Sequence, residues 1–525
     1  MIRVQNVKLY MDENEDSLKD KAAKKLRIPV ENVIDLEIRR KSLDARDKER
    51  IFFVYALDVK IKNEDAFLKR NKKFQKSEKY SYALPKGNVF LENPPVVAGF
   101  GPCGMFAALI LAYLGLNPIV IERGEAVSER KETVESFLSG GKLNPESNLL
   151  FGEGGAGTFS DGKLTTRIKD KRAAKVLEEF ISCGAPADIA YLAKPHLGTD
   201  RLTDIVKNLR EKIQSLGGKV LFGKRLTDIV SANGAVSGVI LNDNELLKTE
   251  NLILATGHSA RDVYGLLLER GIKMSPKAFA VGVRVEHKQK MVDEVQYGAE
   301  APYPADYKLT CKTSSGRGVF SFCMCPGGEV VPAVSEEGFL CVNGMSRFLR
   351  DGENANSAIL VQVFPEDFKD KSPLSGIEFQ RETERKAFLA GGGDYTVPIQ
   401  LMGDFMEGKK SNEIGRILPT YRRGVKPSSL KEILPDFVYE ALKEAFPVFG
   451  KKMNGFLDKD AVITAFEGRS SSPVRIERDG ETGESLSLKG LYPAGEGAGY
   501  AGGIVSSAVD GIIAAERLFI NNAKN

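Results

Sequence analysis

The chain has 525 residues, 42% of them hydrophobic, with 75 Lys and Arg against 71 Asp and Glu and a net charge of +4. That length calls for two to four folding units, and the apolar content is enough for sizeable cores. No signal peptide is visible and only one long apolar run occurs, so a soluble, cytoplasmic protein is expected. The 52 glycines predict many tight turns and close approaches of backbone to a ligand.

Charge is unevenly placed. Residues 1–95 hold 22 Lys and Arg but 16 Asp and Glu, leaving the remainder slightly acidic. Lys69, Arg70, Lys72, Lys73, Lys76, Lys79 and Lys86 face a single acid, Glu78. A solvated linker is the simplest reading of such a run, because a nucleic-acid footprint needs more than positive charge.

Residues 2–10, 33–40 and 51–61 read as strands, 16–26 as a helix and 63–74 as a further helix. Asp12, Glu13, Glu15 and Asp16 crowd the first helix start, where its dipole favours negative charge. This is the pattern of a small α+β module over 1–75, of ferredoxin-like kind, followed by a basic linker over 76–93.

The most informative stretch follows. Val96, Val97 and Ala98 lead into Gly99-x-Gly101-x-x-Gly104; an uncharged helical pattern runs over 105–114, and a second apolar run at 119–121 ends in Glu122 and Arg123. Gly99 permits the tight turn, Gly101 lets a pyrophosphate approach the backbone, and Gly104 lets helix and strand pack closely. The helix start offers free N–H groups to phosphate. Glu122 stands where a carboxylate would accept ribose hydroxyls. The uncharged run over 93–121 is long enough to span a membrane, but three clustered glycines and Asn117-Pro118 argue against it.

Further along, 127–138 reads as a helix, 151–164 (FGEGGAGTFSDGKL) as a glycine-rich loop, and 199–216 as a helix. A β-meander over 219–222, 227–232, 236–241 and 251–255 ends in Ala255-Thr256-Gly257. Residues 273–477 mix strands and helices. A last strand at 491–494 runs into Gly495-Glu496, a turn through Gly502 and Gly503, and a helix from Ile504 to about residue 518. No second strand–GxGxxG–helix–acid unit exists, so a dedicated nicotinamide domain is not expected.

Six cysteines are scattered through the chain, which is not a disulfide framework. Cys323-Met-Cys325 is the one close pair. Period two would put both thiols on one strand face, and buried structural thiols are the simpler reading over a redox pair. No metal site is expected.

The order of glycine turns, together with KPHLGTDRL (194–202), ATGHSARD (255–262), FAVGVRVEH (279–287), SFCMCPGG (321–328), NGMS (343–346), EGRSSSPVRI (467–476) and GEGAGYAGGI (495–504), resembles the FAD-dependent proteins labelled NAD(FAD)-utilising dehydrogenases. These sit within the glutathione reductase-like, two-dinucleotide-binding class. The resemblance covers nearly the whole chain, with one departure at Gly468-Arg469-Ser470, where a threonine near the arginine is expected. It implies non-covalent FAD on a Rossmann-like domain (94–262 and 485–525), interrupted by a mixed α+β substrate domain (263–484). It also implies cofactor contacts from Gly155, Ala156, Thr158, Ser160, Lys163, Ala255, Thr256, Gly257, Gly495, Glu496, Gly502, Gly503 and Ile504, with Glu496 on a ribitol hydroxyl.

Chemistry in the substrate region rests on a short list: Arg284, His287, Arg347, Tyr421, Arg422, Glu467, Arg469 and Arg475. The three histidines are His196, His258 and His287. His258 is the candidate proton donor, although a hinge residue bonded to backbone reads as well. Glu467 and Arg469 would share a strand face and pair, with a structural ion pair the simpler role. Arginines suit an anionic substrate. The expected activity is an FAD-dependent oxidoreductase passing a hydride between the flavin and a small organic substrate, or NAD(P)H docking transiently. Two alternatives stand beside it: a non-catalytic redox-sensing or partner-binding flavoprotein, and a flavin-dependent RNA-modifying enzyme.

Overall fold

The computed structural model describes residues 1–78, 80–299 and 301–523; Lys79 of the basic run, Glu300 and the last two residues lie outside the described residues. At its centre is a five-stranded parallel sheet in the order Leu491–Pro493, Leu252–Leu254, Val96–Ala98, Ile119–Ile121, Lys219–Leu221. Its middle strands are buried on both faces, as a parallel sheet requires. Val97, Val120 and Ile253 feed one core, and Val96, Ala98, Ile121, Leu252 and Leu254 feed the other.

Helix Pro102–Tyr113 and helix Ile504–Asn522 cover the first face. They touch backbone to backbone: a Cβ on Gly511 would stand 2.1 Å from the carbonyl oxygen of Cys103. The second face is covered by helix Arg261–Glu269 and by an antiparallel sheet of Leu226–Ala232, Ala235–Leu241 and Glu245–Lys248. Two members of the expected meander are thus elsewhere. Lys219–Leu221 follows helix Gly198–Ser215 and pairs parallel with Ile119–Ile121, while Leu252–Leu254 pairs with Val96–Ala98. The third meander strand is Glu245–Lys248, turned back through Asn242 and Asp243, both at positive φ.

Between Leu254 and Leu491 the chain builds a seven-stranded sheet. Its order is Thr310–Lys312, Gly318–Cys325, Asn354–Val363, Phe279–Lys288, Val462–Glu467, Val397–Leu401, Val425–Pro427. Helix Asp436–Lys452 lays Leu442, Phe446 and Phe449 on it, in a core shared with Phe405 and Phe456.

The N-terminal residues form an antiparallel sheet in the order Val33–Asp44, Phe52–Ile61, Ile2–Tyr10, Gln75–Lys76. Helix Leu18–Leu26 packs Leu18, Ala22, Ala23 and Leu26 against one face, and helix Glu64–Arg70 joins the same side through Phe67 and Leu68. Lys76, expected in the linker, belongs to the fourth strand. Farther on, Tyr82 donates a 2.7 Å hydrogen bond to Glu516 on the last helix. Lys41 exchanges backbone bonds with Tyr191 and Ala193, both 2.8 Å, which ties the small sheet to the rest.

Phe106 is fully buried on the helix after the glycine turn, edge-on to Phe180 at 5.4 Å. Phe106→Ala should cost about 3–5 kcal/mol, read as an earlier urea transition by far-ultraviolet circular dichroism; an unshifted transition would show that this helix is not a keystone of the sheet.

Candidate functional site

The C-terminal ends of the parallel strands open into a cavity of about 1210 Å³, the place where ligands enter open α/β sheets. Two helix starts are presented there. Helix Pro102–Tyr113 begins at Gly101 and helix Ile504–Asn522 at Gly503, and neither has a side-chain cap, so their first N–H groups are available to an anion. A Cβ at Gly257, Gly502 or Gly503 would meet no atom within 4 Å, so these turns face open space. Gly101 meets only the Gly155 Cα, at 3.7 Å.

Most of the residues singled out in the sequence converge on this cavity. Gly99, Gly101, Glu122, Arg123, Gly155, Ala156, Ser160, Lys163, Ala255, Thr256, Gly257, Glu496, Gly502, Gly503 and Ile504 all line it, with His258, Glu467 and Arg469. Gly104 does not; a Cβ there would lie 1.9 Å from the Gly99 carbonyl oxygen, so it serves the close helix–strand contact. Thr158 is also off the wall, buried with its hydroxyl on the Glu153 carbonyl at 3.3 Å. Gly495 packs on Cys103 and donates its N–H to Asp510. Glu122 accepts three backbone N–H bonds, from Phe100, Gly124 and Gly152 at 2.8, 2.9 and 3.0 Å. A carboxylate has about four lone-pair sites, so one is left for a ribose hydroxyl. Arg123 is held by Glu146 and Asp262 and lies over the Phe151 ring.

Other candidates lie outside the cavity wall. His196 is bonded to the Phe348 carbonyl and His287 to that of Phe456. Tyr421 reaches the Tyr395 carbonyl, Arg422 pairs with Glu135, Arg347 is exposed, and Arg475 sits over Tyr500. Sequence reading singled out Cys323 and Cys325, and Phe322 and Asn343 only within motifs, and missed the rest of the opposite wall: Asp306 to Lys308, Phe320 and Lys277. No local signal marks these, because a strand paired between Thr310–Lys312 and Asn354–Val363 reaches the cavity only through sheet order.

The expected Glu467–Arg469 pair does not form. Glu467 holds Arg284 bidentately at 2.6 and 2.9 Å, and Arg284 continues to Asn356 and Asn343. Arg469 instead forks onto Glu384, both bonds 3.0 Å, and Arg261 forks onto the same carboxylate at 2.7 and 2.9 Å. Pairing across elements wins because each guanidinium meets a carboxylate in two parallel bonds. His258 donates through Nε2 to the Arg469 carbonyl at 2.8 Å, which is the hinge arrangement; a neutral ring then keeps Nδ1 as an acceptor. Burial alone would raise the Glu384 carboxyl, but Arg261 and Arg469 overcome it and hold it at about 2.

Residues 278–470 match the family described as FAD-dependent protein, C-terminal domain-like, and residues 1–60 match a domain of unknown function, DUF8436. A protein of Clostridium beijerinckii (strain ATCC 51743 / NCIMB 8052), described as uncharacterised, is 49% identical over 526 residues and covers 98% of both chains. The chain belongs to the family of that protein, and its cofactor is FAD. Among solved structures it resembles glycine oxidase from Bacillus cereus ATCC 14579 (11% identity, 83% of this chain and 99% of that one, TM-score 0.32). It also resembles the glycerol-3-phosphate dehydrogenase of Bacillus halodurans complexed with FAD (11%, 83% and 66%, TM-score 0.36) and halogenase PltM in complex with phloroglucinol and FAD (10%, 82% and 73%, TM-score 0.38). At such TM-scores nothing about reaction or substrate is taken from them. The cavity fits FAD on its own terms, through open glycine turns and two uncapped helix starts aimed into one space.

Gly101 has φ −79°, which any residue adopts, so Gly101→Val should fold yet block the turn. Co-purifying flavin is expected to fall about tenfold or more, equivalent to about 1.4 kcal/mol; unchanged flavin content would remove this turn from the cofactor site. Glu384→Gln should cost about 3–5 kcal/mol by removing the carboxylate that buried Arg469 and Arg261 share, with Arg261 left to Glu336. Because the folded Glu384 value is depressed, its stabilisation is full above the ordinary 4.5 and lost as pH falls towards 2. Denaturant midpoints measured between those pH values should fall more steeply in the wild type than in Glu384→Gln.

Proposed function

We propose that this chain is an FAD-dependent oxidoreductase that moves a hydride between the flavin and a small anionic organic substrate, or NAD(P)H docked transiently in the same cleft. One observation carries the reading. The cavity is continuous from the glycine turns to the wall formed by strand Gly318–Cys325 and residues 467–470, so a cofactor and a second molecule share one space.

FAD, when bound, supplies the two-electron chemistry. The turns through Gly99–Gly101 and Gly155–Gly157 would hold its phosphates, and the start of helix Ile504–Asn522 would stabilise negative charge at its other end. Lys277 adds a cation to the wall: its Nζ reaches the carbonyls of Ala278 and Ser472, at 3.5 and 3.4 Å, and among the described residues it forms no ion pair, with Glu496 acting on it from farther off. Burial lowers its pKa and nearby Arg475 lowers it further, so an incoming anion strengthens its charged form. Phe320 and Phe322, ring centres 6.4 Å apart, give the opposite wall an apolar surface. His258 lines the same cavity and is the candidate proton donor. Among the described residues there is no helix long and apolar enough to cross a membrane and no cluster of His, Cys, Asp or Glu arranged for a metal ion.

Anaerobic stopped-flow mixing with NADH, NADPH and a panel of small organic acids tests this. Bleaching of the flavin band by at least one is expected, with the second-order rate lowered about tenfold or more in Lys277→Ala, the scale of one charge-assisted contact. If dithionite alone bleaches the flavin, the non-catalytic sensor replaces the oxidoreductase.

A further inference from the structure

Strand Gly318–Cys325 carries a feature that packing does not require. A bulge lies between Phe322 and Cys325 in its pairing with Asn354–Val363. Cys323, inside the bulge, has φ +39°, a left-handed conformation that costs a non-glycine residue about 1–3 kcal/mol. The bulge breaks the period-two alternation: both cysteines line one cavity, Cys323 open to it and Cys325 buried. The Cys325 thiol donates to the carbonyl oxygen of Cys323 at 3.2 Å.

Both cysteines line the cavity that holds the cofactor motifs. Cations flank them. The Lys163 ammonium donates to the carbonyl of Met324, the residue between the two, and Arg284 Nη1 lies 3.9 Å from Cys325 Sγ. In a straight strand, Cα atoms two residues apart stand about 6.6 Å from each other, near the upper limit for a disulfide. Here the Cys325 thiol already lies against the Cys323 backbone, at its carbonyl oxygen. A structural thiol needs neither the bulge nor a left-handed residue; a dithiol that closes across one residue benefits from both.

We propose that Cys323 and Cys325 are a redox pair that exchanges electrons with the flavin of the same cavity, an inference that rests on the oxidoreductase reading. In one direction both S–H bonds break and one Sγ–Sγ bond forms. The two electrons and two protons released go to oxidised flavin. In the other direction reduced flavin returns them, and the disulfide opens to two thiols. The pair therefore stores reducing equivalents next to the substrate wall, and a disulfide or other two-electron acceptor reaching Cys323 through the cavity could be served by it. Enclosure by the cavity wall pushes the Cys323 thiol up to about 12, and burial pushes Cys325 up as well, with Lys163 and Arg284 opposing, so the reduced pair is a dithiol at neutral pH. Exchange with small disulfides should accelerate as pH rises.

The test uses the full-length holoprotein. It is equilibrated anaerobically in glutathione redox buffers, quenched with N-ethylmaleimide and mapped by peptide mass. Cys323 and Cys325 are expected to escape alkylation together, in one peptide lighter by two hydrogens, over the oxidising part of the range. Anaerobic dithionite titration of the oxidised protein should then consume about twice the reducing equivalents per flavin that Cys323→Ser consumes, one two-electron couple more. Cys325→Ser supplies the same comparison if Cys323→Ser fails to retain flavin, and the mapping needs no variant. Independent alkylation of the two cysteines at every potential overturns the proposal. So does a disulfide that forms while wild type and variants take equal equivalents, since the pair would then be isolated from the flavin. Retention of the doubled equivalents in a protein that no nicotinamide or organic acid reduces would remove the oxidoreductase reading and leave the redox pair standing.

Discussion

The Glu384 carboxylate, fully buried between Arg261 and Arg469, fixes how the inserted half of the chain meets the nucleotide-binding half. Arg261 begins the helix after the Ala255-Thr256-Gly257 turn, Glu384 sits on helix Ser375–Gly391, and Arg469 follows strand Val462–Glu467. Three elements distant in sequence are thereby locked at one point. Two bidentate forks onto one carboxylate satisfy both its oxygens in a place where an unpaired charge would be prohibitive. The gain is registration rather than strength. The carbonyl of Arg469 holds the His258 ring, and Gln380 on the same helix donates to the Gly468 carbonyl at 2.7 Å, so the cavity wall inherits the rigidity of the ion pairs.

The second buried pair extends the same logic. Arg284 is fully buried in the middle of strand Phe279–Lys288, and its fork to Glu467 crosses to the neighbouring strand. A Cβ on Gly344 would stand 2.1 Å from Arg284 Nη1, so that glycine is required for the guanidinium to pass. Charge is thus threaded through the inserted sheet up to the bulged strand, and the cavity receives a wall whose polar groups are held by partners behind it.

Much of the nucleotide half was legible in the sequence. Helix Val127–Leu138 and the strand–turn–helix after Val96 fall where periodicity and glycine spacing place them, because local chemistry decides them: a tight turn needs Gly99, and a close contact needs Gly104. What the sequence hid is what depends on partners. Lys219–Leu221 looks like any short apolar run, and only the helix before it commits it to the parallel sheet rather than the meander. Glu467 and Arg469 look like a pair because they stand two apart; better-aligned partners of the same chemistry from other elements take each of them. Thr158 and Gly495 belong to the right motifs yet point away from the cavity, since a motif reports a backbone path and not the direction of each side chain. The bulge at Cys323 has no sequence mark at all.

The closure of the parallel sheet has a consequence for synthesis. Its outer strand, Leu491–Pro493, and the helix lying on Pro102–Tyr113 are drawn from the last part of the chain, whereas the strands they complete precede residue 255. During translation helix Pro102–Tyr113, buried along nearly its whole length in the finished protein, stays without its covering partner while the intervening sheet is made. An apolar helix waiting that long is open to aggregation and to capture by chaperones. The inserted half, continuous in sequence from Phe279 to Glu467, can assemble first. The parallel sheet closes only when Leu491–Pro493 joins strands made before residue 255, so its cavity is complete only after the inserted sheet has been synthesised.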